Sequence, residues 1–385
     1  MGVNDLLMVA GEASGDLHGA RLLEELHHSS PQIAAFGLGG EELQRAGLDP
    51  VAHSSEISVV GITEALGVLK RAREIFSLLV QEVDRRNPSA AVLIDSPDFN
   101  LRLAKTLKKR GVHVIYYISP QVWAWRRGRV KSIARWVDEM LVILPFEVEF
   151  YRQHGVEAID VGHPLVDEVP SLPHIWEQEG SDQGPFQVAL LPGSRSSEIH
   201  AILRTLLRAA ELLARELPVR PMLIKAPTVR AEQISQVLSE FDLDVEVVEE
   251  RRFECIAASH LALCASGTAT LEVGLLGTPM IVVYRVGAGS AFVGRLVIRL
   301  PHVSLVNLVL GREAVPELLQ DDASPEAIAS LAAALLGNPK ETRMMRNALR
   351  ELRGKLGESG ASRRAAEQVL GCLEEERCGV KGSAS

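Results

Sequence analysis

Residues 8–23, MVAGEASGDLHGARLL, read as the end of a strand, a tight glycine turn at Gly11, and the start of a helix. Many α/β proteins hold a phosphate on such a turn, because a helix N-terminus presents free backbone N–H groups and a partial positive charge. Here the turn also carries Glu12, Asp16 and His18, and two acids would repel a phosphate. The glycine spacing is not G-x-G-x-x-G, and FGLGGEELQ (residues 36–44) does not supply it either, since Glu42 stands where the third glycine belongs. The acids suit sugar hydroxyls, whose protons a carboxylate accepts, with Ser14 and nearby amides left for a single phosphate. A plain helix cap without ligand is the other reading of the same residues.

Outward from this turn the pattern repeats. DLLMVA, AAVLID, HVIYYI and EMLVIL are apolar on both faces, as buried parallel strands are, and amphipathic stretches such as LRLAKTLKKRG lie between them. Residues 163–185 break the rhythm with Pro, Gly and acids and read as a linker. Strand, glycine turn and long helix then begin again at FQVALLPGSRSSEIHAILRTLL, and RPMLIKAP, VEVVE, LALCAS and PMIVVYRV add strands. At 385 residues the chain is long for one core. The expected fold is α/β, two doubly wound Rossmann-like domains facing a central cleft. One spans 1–165 and the other 186–340, with C-terminal helices in 341–385 as candidates for packing back on the first. Ligands belong at the carboxyl ends of such strands.

A net charge of −9 argues against broad nucleic-acid binding. The four cysteines form no zinc-type spacing, and the scattered histidines show no metal motif, so no metal is expected. No basic leader precedes the first strand, and no apolar run reaches the ~20 residues that span a bilayer.

Six further stretches are candidates for carrying chemistry. Gly193, Ser194 and Arg195 open a helix with hydroxyls and a guanidinium, and Ser266, Gly267 and Thr268 open another with Glu272 one turn inside. Together they suit a nucleoside diphosphate, Glu272 accepting the ribose hydroxyls. In LIDSPDFNLRLAK, Pro97 fixes a turn that holds Asp98; an aspartate there serves as general base or as helix cap, and the residues alone leave both open. Trp123, Trp125 and Trp136 stand among Arg126, Arg127, Arg129, Lys131 and Arg135, suiting a phosphorylated ligand, a lipid interface or a solvated helix face over core tryptophans. Residues 57–80 hold more apolar side chains, Val59 to Leu69, than one core stripe uses, which fits side-on membrane contact as well as ordinary packing. Asn307, Arg312 and Glu313 follow an expected strand or loop, precede an expected proline-limited helix, and are candidates for closing the cleft.

These stretches, with SVVGITEAL, YISPQVWAWRRGRVKSI, LPFEVEFY, VGHPLVD and NLVLGREAVPELLQ, run in order from about Leu6 to Leu370. The chain resembles the lipid-A-disaccharide synthases, glycosyltransferases of the GT-B fold. The resemblance implies an inverting transfer from UDP-2,3-diacylglucosamine to 2,3-diacylglucosamine-1-phosphate (lipid X). The products are a β(1→6) disaccharide 1-phosphate and UDP, formed without cofactor or metal at the cytoplasmic face of the inner membrane. It implies Asp98 as base. It implies acceptor contacts from Gly11, Glu12, Ser14, Gly15, Asp16 and His18, with Asn307 and Arg312 also on substrate. UDP contacts fall to Gly193, Ser194, Arg195, Ser266, Gly267, Thr268 and Glu272. Another GT-B UDP-sugar enzyme, such as an epimerase, or an inactive membrane-associated binding protein are the competing readings.

Overall fold

Every strand pairing among the described residues of the computed structural model is parallel. It describes residues 4–57, 65–124, 127–172, 184–193, 196–227, 229–285 and 301–378. The chain forms two units, Met1–Pro164 with Ser359–Ser385, and Leu165–Glu358.

Unit 1 is built on strands β1 (Asn4–Ala10), β2 (Ile33–Gly39), β3 (Asp49–His53), β4 (Ala90–Ile94), β5 (His113–Tyr117), β6 (Glu139–Val142) and β7 (Ala158–Asp160). Their order is β3-β2-β1-β4-β5-β6-β7, so the winding reverses between β1 and β4. The inner strands are solvent-free on both faces, as in Leu6–Ala10 and Ala90–Ile94. That is why they read as continuous apolar runs. Helix α1 (Ala13–Ser29) buries Leu22, Leu23 and Leu26 and ends on His27 and His28, favourable at the negative end of its dipole. Helices α2 (Glu41–Arg45), α3 (Ala65–Arg86), α4 (Pro97–Lys108), α5 (Val130–Trp136) and α6 (Pro145–Arg152) complete the connections. In α4, Pro97 occupies the first turn and Asn100, Leu103, Ala104 and Leu107 are buried at helical spacing.

Unit 2 starts with a single turn, α7 (Leu165–Glu168), inside the stretch read as linker; burial of Leu165 and Val166 fixes it, and four residues are too few to show a period. Arg353 donates to the carbonyls of Val166 and Val169 at 3.1 and 2.9 Å. Residues 173–183 of that stretch lie outside the described residues. The sheet comprises β8 (Phe186–Leu191), β9 (Val219–Ile224), β10 (Glu246–Val248), β11 (Leu261–Ala265), β12 (Met280–Tyr284) and β13 (Glu317–Leu319), ordered β10-β9-β8-β11-β12-β13. Its winding reverses between β8 and β11. The helices are α8 (Ser196–Glu216), α9 (Ala231–Leu238), α10 (Arg252–Ala257), α11 (Thr268–Leu275), α12 (Leu305–Leu310), α13 (Pro325–Leu336) and α14 (Pro339–Lys355). The last helix, α15 (Ala361–Cys378), belongs to unit 1, packs on α1, and buries Ala361, Ala365, Ala366, Val369, Cys372 and Leu373 along one stripe.

Residues 304–319 differ from the expected strand or loop followed by a proline-limited helix. Ser304 accepts a hydrogen bond from Asn307 N at 3.2 Å, starting α12, and Gly311 at φ 71° ends it. The segment after Pro316 then pairs with β12 as strand β13.

Candidate active-site turns of the two units

Both units bring predicted turns together where their sheets reverse winding, the position at which α/β folds bind ligands. In unit 1 the turn after β1 meets the turn after β4. A Cβ on Gly11 would lie 2.6 Å from Ser96 Oγ, so any larger residue there would have to displace the serine hydroxyl. Asp95 and Ser96 both sit in the left-handed region, at φ 47° and 44°. Two consecutive non-glycine residues there cost roughly 1–3 kcal/mol each, a strain kept only where surroundings enforce it. The enforcers are Asn100, whose buried Nδ2 donates to Ile94 O and Asp95 O at 3.0 and 2.8 Å, and the Tyr116 hydroxyl on Asp95 O at 2.5 Å. Ser96 Oγ is buried without a hydrogen-bond partner among the described residues.

This turn projects Asp98. The N-cap position of α4 falls on Ser96, so the capping alternative does not place Asp98 as the cap. Its side chain is 70% exposed and is paired with Arg129, itself 18% exposed. From the basic, tryptophan-rich segment, Arg129 therefore reaches the candidate base. Arg135 instead stacks on Trp136 at 4.6 Å, and Trp125 and Arg126 lie outside the described residues, as does the Arg127 side chain. Trp123 is a core residue whose Nε1 donates to Glu147 Oε1 at 3.0 Å. Glu147 is 1% exposed, and burial pushes its carboxyl up to about 8 against hydrogen bonds from Trp123 and Leu144 N. It is therefore protonated at neutral pH. Folding binds this proton more tightly than the unfolded chain does, so its stabilising contribution is complete below about pH 4.5 and is lost as pH rises through about 8. Denaturant midpoints should show the wild-type advantage over Glu147→Gln shrinking between pH 5 and 8 and levelling above; a constant gap would contradict the buried acid.

The opening turn divides by exposure. Glu12, the extended N-cap of α1, and Ser14 are exposed, whereas Gly15 is buried against the sheet, where an added Cβ would lie 3.6 Å from the Ala10 and Ile94 side chains. Asp16 is also turned inward. Its Oδ1 accepts from Gly40 N and Leu43 N at 2.6 and 3.2 Å, and its Oδ2 from Glu42 N at 3.0 Å. The carboxylate thereby satisfies the first free N–H groups of α2. The sequence suggested hydroxyl recognition for Asp16, but the fold spends it on bracing one loop against another. His18 is held neutral, its imidazole lowered to about 4 by burial and then Arg21; His163 is lowered to about 3 by burial and then His18.

In unit 2, Gly193 at φ 101° leaves β8 and Gly267 at φ 150° leaves β11, both conformations that favour glycine. Ser194 and Arg195 lie outside the described residues. Ser266 Oγ donates to Val303 O at 3.2 Å, and Thr268 begins α11. Glu272 is 15% exposed and stands 3.4 Å from Arg252, a partner from α10 that the sequence did not suggest. Burial raises its carboxyl above the ordinary range despite Arg252.

Asn307 and Arg312 are both engaged by other residues of unit 2. Asn307 is fully buried; Nδ2 donates to Val315 O and Glu317 Oε1 at 2.8 and 2.7 Å, and Oδ1 accepts from Ala314 N and Val315 N at 2.7 and 3.0 Å. All four of its bonding directions are used inside the fold. Arg312 is exposed and paired with Glu351 at 2.8 Å. Glu317, unnoticed in the sequence, also accepts from Val303 N and Ser304 N at 2.8 and 2.9 Å.

Two parallel α/β units, each with a glycine turn and helix start at its winding reversal, define a glycosyltransferase-type GT-B fold. Solved structures agree at the level of fold: a UDP-N-acetylglucosamine 2-epimerase from Listeria monocytogenes (TM-score 0.62, 10% identity, 99% of this chain and 98% of that one) and MurG from Acinetobacter baumannii (TM-score 0.59, 12% identity, 96% and 99%). The family model described as lipid-A-disaccharide synthetase matches residues 6–370. Lipid-A-disaccharide synthases from Anaeromyxobacter dehalogenans (strain 2CP-1) and Myxococcus xanthus are each 46% identical, over 96% and 97% of this chain and 98% of their own length. The chain belongs to the lipid-A-disaccharide synthase family and is a glycosyltransferase that condenses lipid A precursors. No helix among the described residues is long and apolar enough to cross a membrane.

Proposed function

We propose that the chain transfers the 2,3-diacylglucosaminyl group of UDP-2,3-diacylglucosamine to the 6-hydroxyl of 2,3-diacylglucosamine-1-phosphate with inversion. The bond from C1 to the UDP oxygen breaks and the bond from C1 to O6 forms. Asp98 takes the hydroxyl proton, and UDP leaves with the bonding pair. The observation that carries this reading is the strained Asp95–Ser96 turn, pinned by Asn100 and Tyr116, which presents Asp98 beside Arg129. In unit 1, Glu12, Ser14 and the Gly11 turn receive the acceptor, and Arg129 orients the carboxylate. In unit 2, the turns at Gly193 and Gly267, with Ser194, Arg195 and Thr268, hold the diphosphate through N–H groups, hydroxyls and positive charge, which also stabilise the leaving group. Glu272, kept in place by Arg252, accepts the ribose hydroxyls.

The acylated substrates are drawn from the cytoplasmic face of the inner membrane. The apolar residues Val59 to Leu69 meet that surface from the side; residues 58–64 and the side chains of 65–69 lie outside the described residues.

Incubation with both substrates should release UDP together with a β(1→6) disaccharide, read by mass spectrometry and NMR of the linkage. UDP-sugar turnover without disaccharide would favour the epimerase reading, and binding without UDP release an inert one. Arg195→Ala should weaken UDP binding by calorimetry roughly 10–150-fold, the ~1.5–3 kcal/mol of a charged hydrogen bond, while lipid X affinity holds. Equal losses for both ligands would contradict the assignment of the diphosphate to unit 2.

A further inference from the structure

The strands of unit 1 begin at the edge of the sheet opposite the turns described above, and a second cluster lies there. His113 opens β5 and Glu139 opens β6. Glu139 pairs in register with Ile115, two residues after His113, so the alternation along a strand puts His113 and Glu139 on one face. Helix α15 contacts β5 and brings Cys372 to the same place. Cys372 Sγ donates to Glu139 Oε1 at 2.8 Å, and His113 Nε2 stands 3.3 Å from that oxygen. The three donor atoms all lie within 4.8 Å of one another. The thiol also lies 3.1 Å from the Gln368 carbonyl.

We propose that His113, Glu139 and Cys372 form a binding site for a divalent transition cation of the zinc class, separate from the transfer chemistry. The donor set is the argument. One thiolate, one imidazole and one carboxylate suit a borderline-soft ion, whereas magnesium and calcium take oxygen ligands. Metal–ligand bonds of about 2.0–2.3 Å in a tetrahedron put ligand atoms roughly 3.3–3.7 Å apart. The trio reaches that spacing with shifts of about an ångström. Cys372 and the His113 Nε2 atom are buried, while the His113 and Glu139 side chains are 20% and 25% exposed, so the trio lies just beneath the surface and a solvent water is the expected fourth ligand. On binding, the thiol proton passes to solvent and its hydrogen bond to Glu139 is replaced by two metal bonds. The ion would clamp the last helix to strands more than two hundred residues earlier, the kind of long loop for which cross-links stabilise most. No sequence spacing announces such a site, because its members come from three distant elements.

The test uses the full chain, reduced, titrated with Co²⁺ and then Zn²⁺. One equivalent of Co²⁺ should bind with a near-ultraviolet thiolate-to-cobalt band, Zn²⁺ should bleach it, and Zn²⁺ should raise the melting temperature. Cys372→Ser should abolish the band and the thermal shift. His113→Gln, at the less buried side of the trio, should lower Zn²⁺ affinity by more than about tenfold, and it guards against a serine variant that fails to fold. Absence of stoichiometric uptake by the wild type, or a band and thermal shift that survive both substitutions, would overturn the site and leave a hydrogen-bonded trio.

Discussion

Replacing Asp98 with asparagine should lower turnover by about 10²–10⁴-fold, the contribution of a positioned general base. The Michaelis constants should change little, because the carboxylate acts on the proton in flight. The folded state should hardly notice. Asp98 is largely exposed, its pairing with Arg129 is a surface contact, and asparagine is tolerated at a helix start as well as aspartate. The substitution therefore separates the two roles the sequence left open. If Asp98 matters as part of the helix start, Asp98→Asn retains most activity; if it is the base, Asn fails as completely as Ala. Turnover within a few-fold of wild type, with melting temperature unchanged, would remove it from the chemistry.

Asn307→Ala should behave in the opposite way. It strands the Val315 carbonyl, the N–H groups of Ala314 and Val315, and one bond to the Glu317 carboxylate, buried or part-buried in unit 2. An unsatisfied buried group costs about 1–3 kcal/mol, so a loss of at least ~3 kcal/mol is expected, with some relief from water or local rearrangement. Chemical denaturation should show a large drop in midpoint, and the remaining folded fraction should keep near-normal Michaelis constants. A variant as stable as wild type but with sharply raised substrate constants would restore Asn307 to the substrate contacts that the family resemblance implies.

The sequence showed the architecture wherever burial was two-sided. Leu6–Ala10, Ala90–Ile94 and Leu261–Ala265 have no polar face, so their runs announce parallel strands. It was less legible at the edges. β7, β10 and β13 are three residues long, too short for a period to emerge, although VEVVE marked β10. The turns were visible because Gly11, Gly193, Pro97 and Gly267 punctuate them. What each polar residue does inside a turn was not, since that depends on partners from other elements. Asp16 looked like a hydroxyl acceptor until Gly40, Glu42 and Leu43 claimed its oxygens, and Arg129 joins Asp98 from 31 residues away. Glu147 reads as an ordinary helix-start acid, yet Trp123 and the core make it a buried, protonated one.

The most direct test is a crystal structure of the protein soaked with UDP. Uridine diphosphate is expected in unit 2, its phosphates against the Gly193 and Gly267 turns and its ribose on Glu272. Uridine diphosphate seated instead on the Gly11–Asp16 turn of unit 1 would contradict that placement.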